Sequence, residues 1–283
     1  MPTSGNSRSE ARLGAEHLAR VERRLGPVRV RAWSQGQQAT SWRIEADGAP
    51  VALLKVTADR SLREASAYAA LADTLAPAML VPLDAWPGGL LLPWSPAPLA
   101  RDDEATHEAA GRFLARLERQ TADDDDALAP PRALLRRFEA WWARGHGHLT
   151  PQQQRAMEAA LDLHAFEGWP RVWCHRDFEA RNWQVGDDGL IVLDWGQARI
   201  DLRGWDRLKL RESVWVHRPA LAAAFRRGYG PDPRPIAERD LDQLALLHGL
   251  QTFVWGRTRH HVAFAELGAR ILARHLPNAF TAP

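Results

Sequence analysis

Apolar and polar positions alternate over Val28 to Trp33 and Ser41 to Ile44, a mostly apolar run follows over Val51 to Val56, and each of the three reads as a strand. Ahead of them Leu18, Val21 and Leu25 recur at helical spacing with charges between, which predicts an amphipathic helix within residues 9–25. A helix is expected from Ser61-Leu-Arg-Glu64-Ala-Ser-Ala-Tyr, and two more strands from Ala78 to Leu83 and Leu90 to Leu92 around the turn Pro87-Gly-Gly. Past residue 99 the period changes to that of helices, marked by Ala109, Phe113, Leu114 and Leu117, then Leu134 to Trp142 and Ala156 to Leu163. The same period returns over Leu221 to Phe225, Leu241 to Val254 and Val262 to Leu276. Strands first and helices afterwards predict an α+β chain, with an N-terminal antiparallel sheet that includes a helix and a larger, mainly helical C-terminal part. Pro93-Trp94-Ser95-Pro96-Ala-Pro98 reads as a stiff linker, so the expected division is residues 1–93, a linker over 94–98, and 99–283.

Two short apolar runs interrupt the helical part. Val172-Trp-Cys174 ends in His175-Arg-Asp177, a polar turn delivers Asn182, and Leu190 to Leu193 ends in Asp194-Trp-Gly196. Two buried strands thus each release a carboxylate at their C-terminal end, with an amide between them. Phosphoryl transfer from a Mg-nucleotide needs this set: one carboxylate to orient and accept the proton of the attacking hydroxyl, and an amide oxygen with a second carboxylate to hold Mg²⁺. Asp and Asn also cap turns, but turn chemistry explains the residue types and not their order or spacing. His-x-Asp-x4-Asn followed by Asp-x-Gly, with 194 − 177 = 17 residues between the two aspartates, is the catalytic-loop and metal-loop order of the kinase signature.

On these residues the chain resembles the aminoglycoside phosphotransferase and choline kinase branch of the protein-kinase-like fold. The resemblance implies a bilobal protein-kinase-like architecture and an ATP-dependent phosphotransferase acting on a hydroxyl of a small molecule, with ATP and Mg²⁺ as cofactors and GTP not excluded. It implies that Asp177 is catalytic and that Asn182 and Asp194 hold the metal. His175 is expected to brace the loop rather than serve as the base. Lys55, one of only two lysines in the chain, stands where the family places its phosphate-binding lysine. Glu64 is its expected partner, although Ser61-x-x-Glu64 also fits a capping box. The loop from Ser34 through Gly36 to Ser41 falls where such a fold covers the nucleotide phosphates; an ordinary hairpin turn would read the same. Pro93 and Trp94 lie in the extended segment whose backbone meets an adenine edge, and linkers use such residues without a ligand too.

The pattern departs from the family in two places. Glu179 stands where small-molecule kinases tend to have His and protein kinases Lys, so a cation near the transferring phosphoryl group is missing there and Arg181 is the candidate replacement. A nucleotide-binding pseudokinase with a regulatory or scaffold role is the alternative that this raises. After Asp194-Trp-Gly the chain turns helical with no Ala-Pro-Glu downstream, which argues against docking of a peptide and for a small hydroxylated substrate. Asp206 resembles the family's structural anchor behind the metal loop.

Composition adds bounds. Apolar residues at 45% and charged residues at 25% fit a globular enzyme. A net charge of +2 does not argue for nucleic acid, and neither a membrane-spanning run nor an apolar leader is present, so the expectation is a cytoplasmic protein, monomeric or weakly dimeric, with no nucleic-acid or membrane partner. Cys174, the lone cysteine, reads as a small core residue, and Asp123 to Asp126 as a solvated acidic loop. Basic residues outnumber acidic ones from Arg199 onward, which moves the expected acceptor from a polycationic aminoglycoside toward a neutral or anionic alcohol.

Overall fold

The structure, a computed structural model, describes residues 13–35, 39–57, 63–120, 130–232 and 235–280. In chain order its main elements are α1 (Ala15–Leu25), β1 (Arg29–Gln35), β2 (Ala39–Ala46), β3 (Ala49–Thr57), α2 (Arg63–Leu75), β4 (Asp84–Trp86), β5 (Gly89–Pro93) and α3 (Glu104–Leu117). There follow α4 (Pro130–Gly145), α5 (Pro151–Ala160), β6 (Arg171–Cys174), β7 (Trp183–Gly186), β8 (Gly189–Val192), β9 (Arg199–Leu202), α6 (Trp205–Leu210), α7 (Pro219–Tyr229), α8 (Glu238–Thr258) and α9 (Val262–His275). They form two compact units, Met1–Ala100 with Asn182–Gln197, and Arg101–Arg181 with Ala198–Pro283.

The first unit is built on an antiparallel sheet in the order β1-β2-β3-β5-β4. Alternation decides its faces: Trp42 and Ile44 of β2, Ala52 and Leu54 of β3 and Leu91 of β5 point one way, into a core shared with Val21 of α1 and Trp86. Helix α1 stops at Gly26, whose φ of 80° is left-handed and whose N–H donates to Glu22 at 2.8 Å. Arg20 ties α1 to β4 through two bonds to Asp84, at 2.8 and 3.0 Å. The strand expected over Ala78 to Leu83 is not formed; the ladder is the three residues Asp84–Trp86. Pro82 removes a donor within that stretch and Pro77 one just ahead of it, and the Leu83 N–H makes a single bond to Leu91 O at 2.8 Å.

Helix α8 organises the second unit. Among its buried residues, Leu244, Ala245 and Leu247 join one cluster with Val172, Cys174, Leu202 and Trp205, while Leu246, Leu250, Phe253 and Val254 join another with Met157 and Leu272. A helix with core on two sides has no single apolar stripe, which is why periodicity finds it without orienting it. Cys174 is 1% exposed, and burial first among several causes pushes its thiol well above the usual range, as suits a core residue. Among the described residues no helix is long and apolar enough to cross a membrane.

Helices α3 and α7 approach to backbone contact. A Cβ at Gly228 would lie 1.8 Å from Glu108 O, and one at Gly111 2.2 Å from Phe225 O. The approach matters because Phe113 of α3 stacks on Phe178 of the His-Arg-Asp loop, 5.7 Å between centroids at 16°. Gly228→Ala forces these backbones apart and is expected to lower unfolding free energy by about 3 kcal/mol in urea titrations. A loss below about 0.5 kcal/mol, the range of neutral surface changes, would show that the helices can separate freely.

Candidate active site

In the first unit, β3 turns Lys55 to the face opposite Ala52 and Leu54, away from the core that those two residues join. Its ammonium donates to both oxygens of Glu64 on α2, at 2.7 and 2.8 Å, and to Asp194 Oδ1 at 2.8 Å. Burial works against its charge, but the two carboxylates outweigh that and hold its pKa above the ordinary lysine value. Ser41 is buried on β2, directly across the ladder from Lys55.

Asn182 and Asp194 stand at the two ends of one hairpin. Asn182 precedes β7 and Asp194 follows β8, Trp183 pairs with Val192, and Leu193 N–H bonds Asn182 O at 2.8 Å. The chain then bends at Asp194, whose φ of 62° is left-handed. Trp195, fully buried with its indole N–H on Val192 O at 3.0 Å, fixes that bend. No cluster of three or more His, Cys, Asp or Glu able to hold a metal occurs among the described residues. The amide oxygen of Asn182 and the carboxylate of Asp194 are of the hard oxygen type that Mg²⁺ takes.

In the second unit, β6 delivers His175-Arg176-Asp177. Arg176 is left-handed, φ 69°, and Asp206 at the start of α6 holds the turn by accepting the His175 and Arg176 N–H groups, each at 2.7 Å. That carboxylate is 1% exposed, and burial raises its pKa to about 6 against the pull of the two amides. His175 is fully buried, and its Nδ1 accepts the Asp177 N–H at 3.2 Å. The Arg176 guanidinium lies 3.8 Å over the Trp205 ring and 3.1 Å from Asp201, which also takes Arg137 and Arg199.

Asp177 carries two cations. Arg181 donates to both of its oxygens, at 2.7 and 2.8 Å, and Lys209 of α6 bonds Oδ1. Glu179 receives the same pair, Lys209 at 2.6 Å and Arg181 at 3.0 Å. Burial alone would raise the Asp177 pKa; Lys209 and Arg181 instead hold it well below the ordinary carboxylate range.

The structure therefore brings Lys55, Glu64 and Asp194 together with Asn182 nearby in one unit, and Asp177, Glu179 and Arg181 together in the other. Gly36 lies outside the described residues, as do Ser61 and the Asp123 to Asp126 stretch. Pro93 closes β5 opposite Ala52, and the Trp94 N–H is already bonded to Val51 O at 3.0 Å, with its ring edge-on to Trp33 at 5.3 Å. Lys209 was not singled out by sequence reasoning, yet its signal was there: both lysines of the chain sit on these carboxylates, and every other basic residue in the Lys+Arg total of 37 is arginine.

The sequence matches the phosphotransferase enzyme family over residues 29–239. The chain belongs to that family. No curated protein matches its sequence. Solved structures resemble the phosphotransferase in fold: the gentamicin–APH(2")-IIa complex at 16% identity and TM-score 0.63, covering 93% of this chain and 97% of that one. Macrolide 2'-phosphotransferase MphH from Brachybacterium faecium gives 18% identity and TM-score 0.62, over 91% and 98% of the two chains. Spectinomycin phosphotransferase APH(9)-Ia, in complex with ADP and spectinomycin, gives 13% and 0.60, over 95% of each. The phosphotransferase has the protein-kinase-like fold that these enzymes share.

Two tests follow from the anchoring of the loop. Asp206→Ala leaves one buried and one part-buried amide without an acceptor and is expected to cost about 2–4 kcal/mol in denaturant unfolding; no change would mean that water replaces the carboxylate. His248 on α8 lies edge-on to Trp205 at 6.3 Å, and burial, with Lys209 and Arg176, pushes its pKa down to about 3. The unfolded chain then binds a proton below about pH 6.5 that the folded protein refuses until about pH 3. This group's contribution is present above pH 6.5 and is lost as pH falls toward 3. Wild type should therefore lose stability relative to His248→Gln across that window, and a difference independent of pH would contradict the assignment.

Proposed function

We propose that this phosphotransferase moves the γ-phosphate of ATP to a hydroxyl of a small molecule. The observation that carries the reading is Lys55 held between Glu64 and Asp194, with Asn182 and Asp194 at the two ends of one hairpin. Glu64 keeps the Lys55 ammonium charged and aimed for the α- and β-phosphates. Asn182 and Asp194 supply the oxygen donors for Mg²⁺, which when bound neutralises charge on the phosphates. Asp177 orients the acceptor hydroxyl and receives its proton, and because its pKa is held low it aligns the nucleophile more than it pulls on it. His175 and Asp206 keep Asp177 in place. ATP is favoured by the streptomycin–ATP–APH(2")-IIa complex among the neighbours.

The acceptor is a small hydroxylated compound, and its charge is not set by the basic excess noted after Arg199. Most of those cations are tied to acids within the second unit: Arg203 and Arg207 to Asp232, Arg211 to Glu212 and Asp242, Arg218 to Asp102, Arg227 to Glu104 and Arg274 to Glu212. Aminoglycosides, spectinomycin and macrolides therefore all belong in the acceptor panel.

With MgATP and such a panel, release of ADP matched by phosphorylated product is expected. Asp177→Asn should lower kcat by about 10³-fold, while Lys55→Met should also raise the KM for MgATP. MgATP binding with no product from any alcohol would contradict the reading and favour a regulatory nucleotide-binding protein.

A further inference from the structure

The contacts of Lys209 go beyond holding the fold together. It is one of two lysines in a chain that otherwise uses arginine for every cation, and it is a compact charge on a flexible stem, where arginine is a broad planar fork. Its α6 position follows Asp206 by three residues, so the same helix that anchors the His-Arg-Asp turn through Asp206 presents Lys209 to the end of that loop. Asp206 and Lys209, at i and i+3, lie on neighbouring positions of one helix face. The ammonium is 15% exposed in its side chain and bridges Asp177 and Glu179.

We propose that Lys209 supplies, from α6, the phosphoryl-facing cation that the catalytic loop lacks at Glu179, and that Glu179 is the tether that holds this ammonium against Asp177. The proposal rests on the phosphotransferase reading above. A hydroxyl aligned by Asp177 lies roughly 3 Å from the phosphorus that it attacks, so a cation bonded to Asp177 stands within a few ångströms of the transferred group. As the new oxygen–phosphorus bond forms and the bond from phosphorus to the leaving ADP oxygen breaks, the hydroxyl proton passes to Asp177. Negative charge on the equatorial phosphoryl oxygens is then met by the Lys209 ammonium. The acidic residue at 179, which looks like a defect in the loop, becomes the feature that positions the replacement charge. Arg181 is a weaker candidate for the same task, because its side chain is 55% exposed and its Nη2 already donates to both Asp177 oxygens.

The test compares wild type, Lys209→Met, and the double variant Lys209→Met with Glu179→Lys, using MgATP with water as acceptor so that no alcohol need be known. Melting temperature is followed for each. Lys209→Met is expected to lower kcat by about 100-fold, with KM for MgATP within about threefold. The acid limb of its pH profile should move to higher pH, because Asp177 loses one of the cations that depress it. A lysine restored at 179 should recover at least tenfold of the lost kcat, which a bracing role for Lys209 would not allow. A folded Lys209→Met enzyme with kcat within twofold of wild type, or a folded double variant no faster than the single one, overturns the assignment of Lys209. A wild type that releases no ADP with water or with any alcohol of the panel overturns the phosphotransferase reading itself.

Discussion

An ammonium group held between two carboxylates is the interaction on which each unit's chemistry depends. Lys55 lies between Glu64 and Asp194 in the first unit, and Lys209 between Asp177 and Glu179 in the second. Asp177 is held ionised against its burial by the cations that meet it, and a lysine can do so at a point without filling the space a guanidinium would need. At Asp177 the consequence is a carboxylate held well below its usual pKa, as the proposed alignment of a hydroxyl without early proton abstraction requires. At Lys55 the consequence is an ammonium that stays charged in spite of burial.

These contacts exist because the backbone around them is fixed by groups that do no chemistry. Asp206 binds the two amides of the His175-Arg176 turn, where Arg176 adopts a left-handed φ that an unsupported arginine would leave. Phe178 is stacked on Phe113, and Arg176 is pinned between the Trp205 ring and Asp201. Asp194 is likewise left-handed, and the buried Trp195 behind it keeps it so. Both carboxylates follow short strands whose own burial is modest, so their precision comes from these local supports.

Much of this was legible in the sequence. Alternation found β1 and β2 and a mostly apolar run found β3, and the order of His-x-Asp-x4-Asn and Asp-x-Gly singled out the two carboxylates and the amide, because spacing along the chain survives where contacts cannot be seen. The Lys55–Glu64 pair was legible from one scarce lysine and one helix start. What was not legible depended on contacts distant in sequence. The strand expected at 78–83 gave way to β4, Pro82 lacking a donor within it and Pro77 just ahead of it. The Asp201 cluster joins arginines from 137, 176 and 199, three stretches that no spacing along the chain connects. Lys209 escaped because a lysine inside a helical pattern reads as solvated surface until its neighbours are known. Its scarcity was the only clue.

With only two lysines in the chain, selective ¹³C labelling of the lysine ε-carbons gives two side-chain signals, and this makes the central pairing directly measurable. Asp194→Asn should shift one of them and Asp177→Asn the other, since Lys55 and Lys209 are each bonded to one of these carboxylates. Spectra in which neither substitution moves either signal, in a protein that remains folded, would contradict the account.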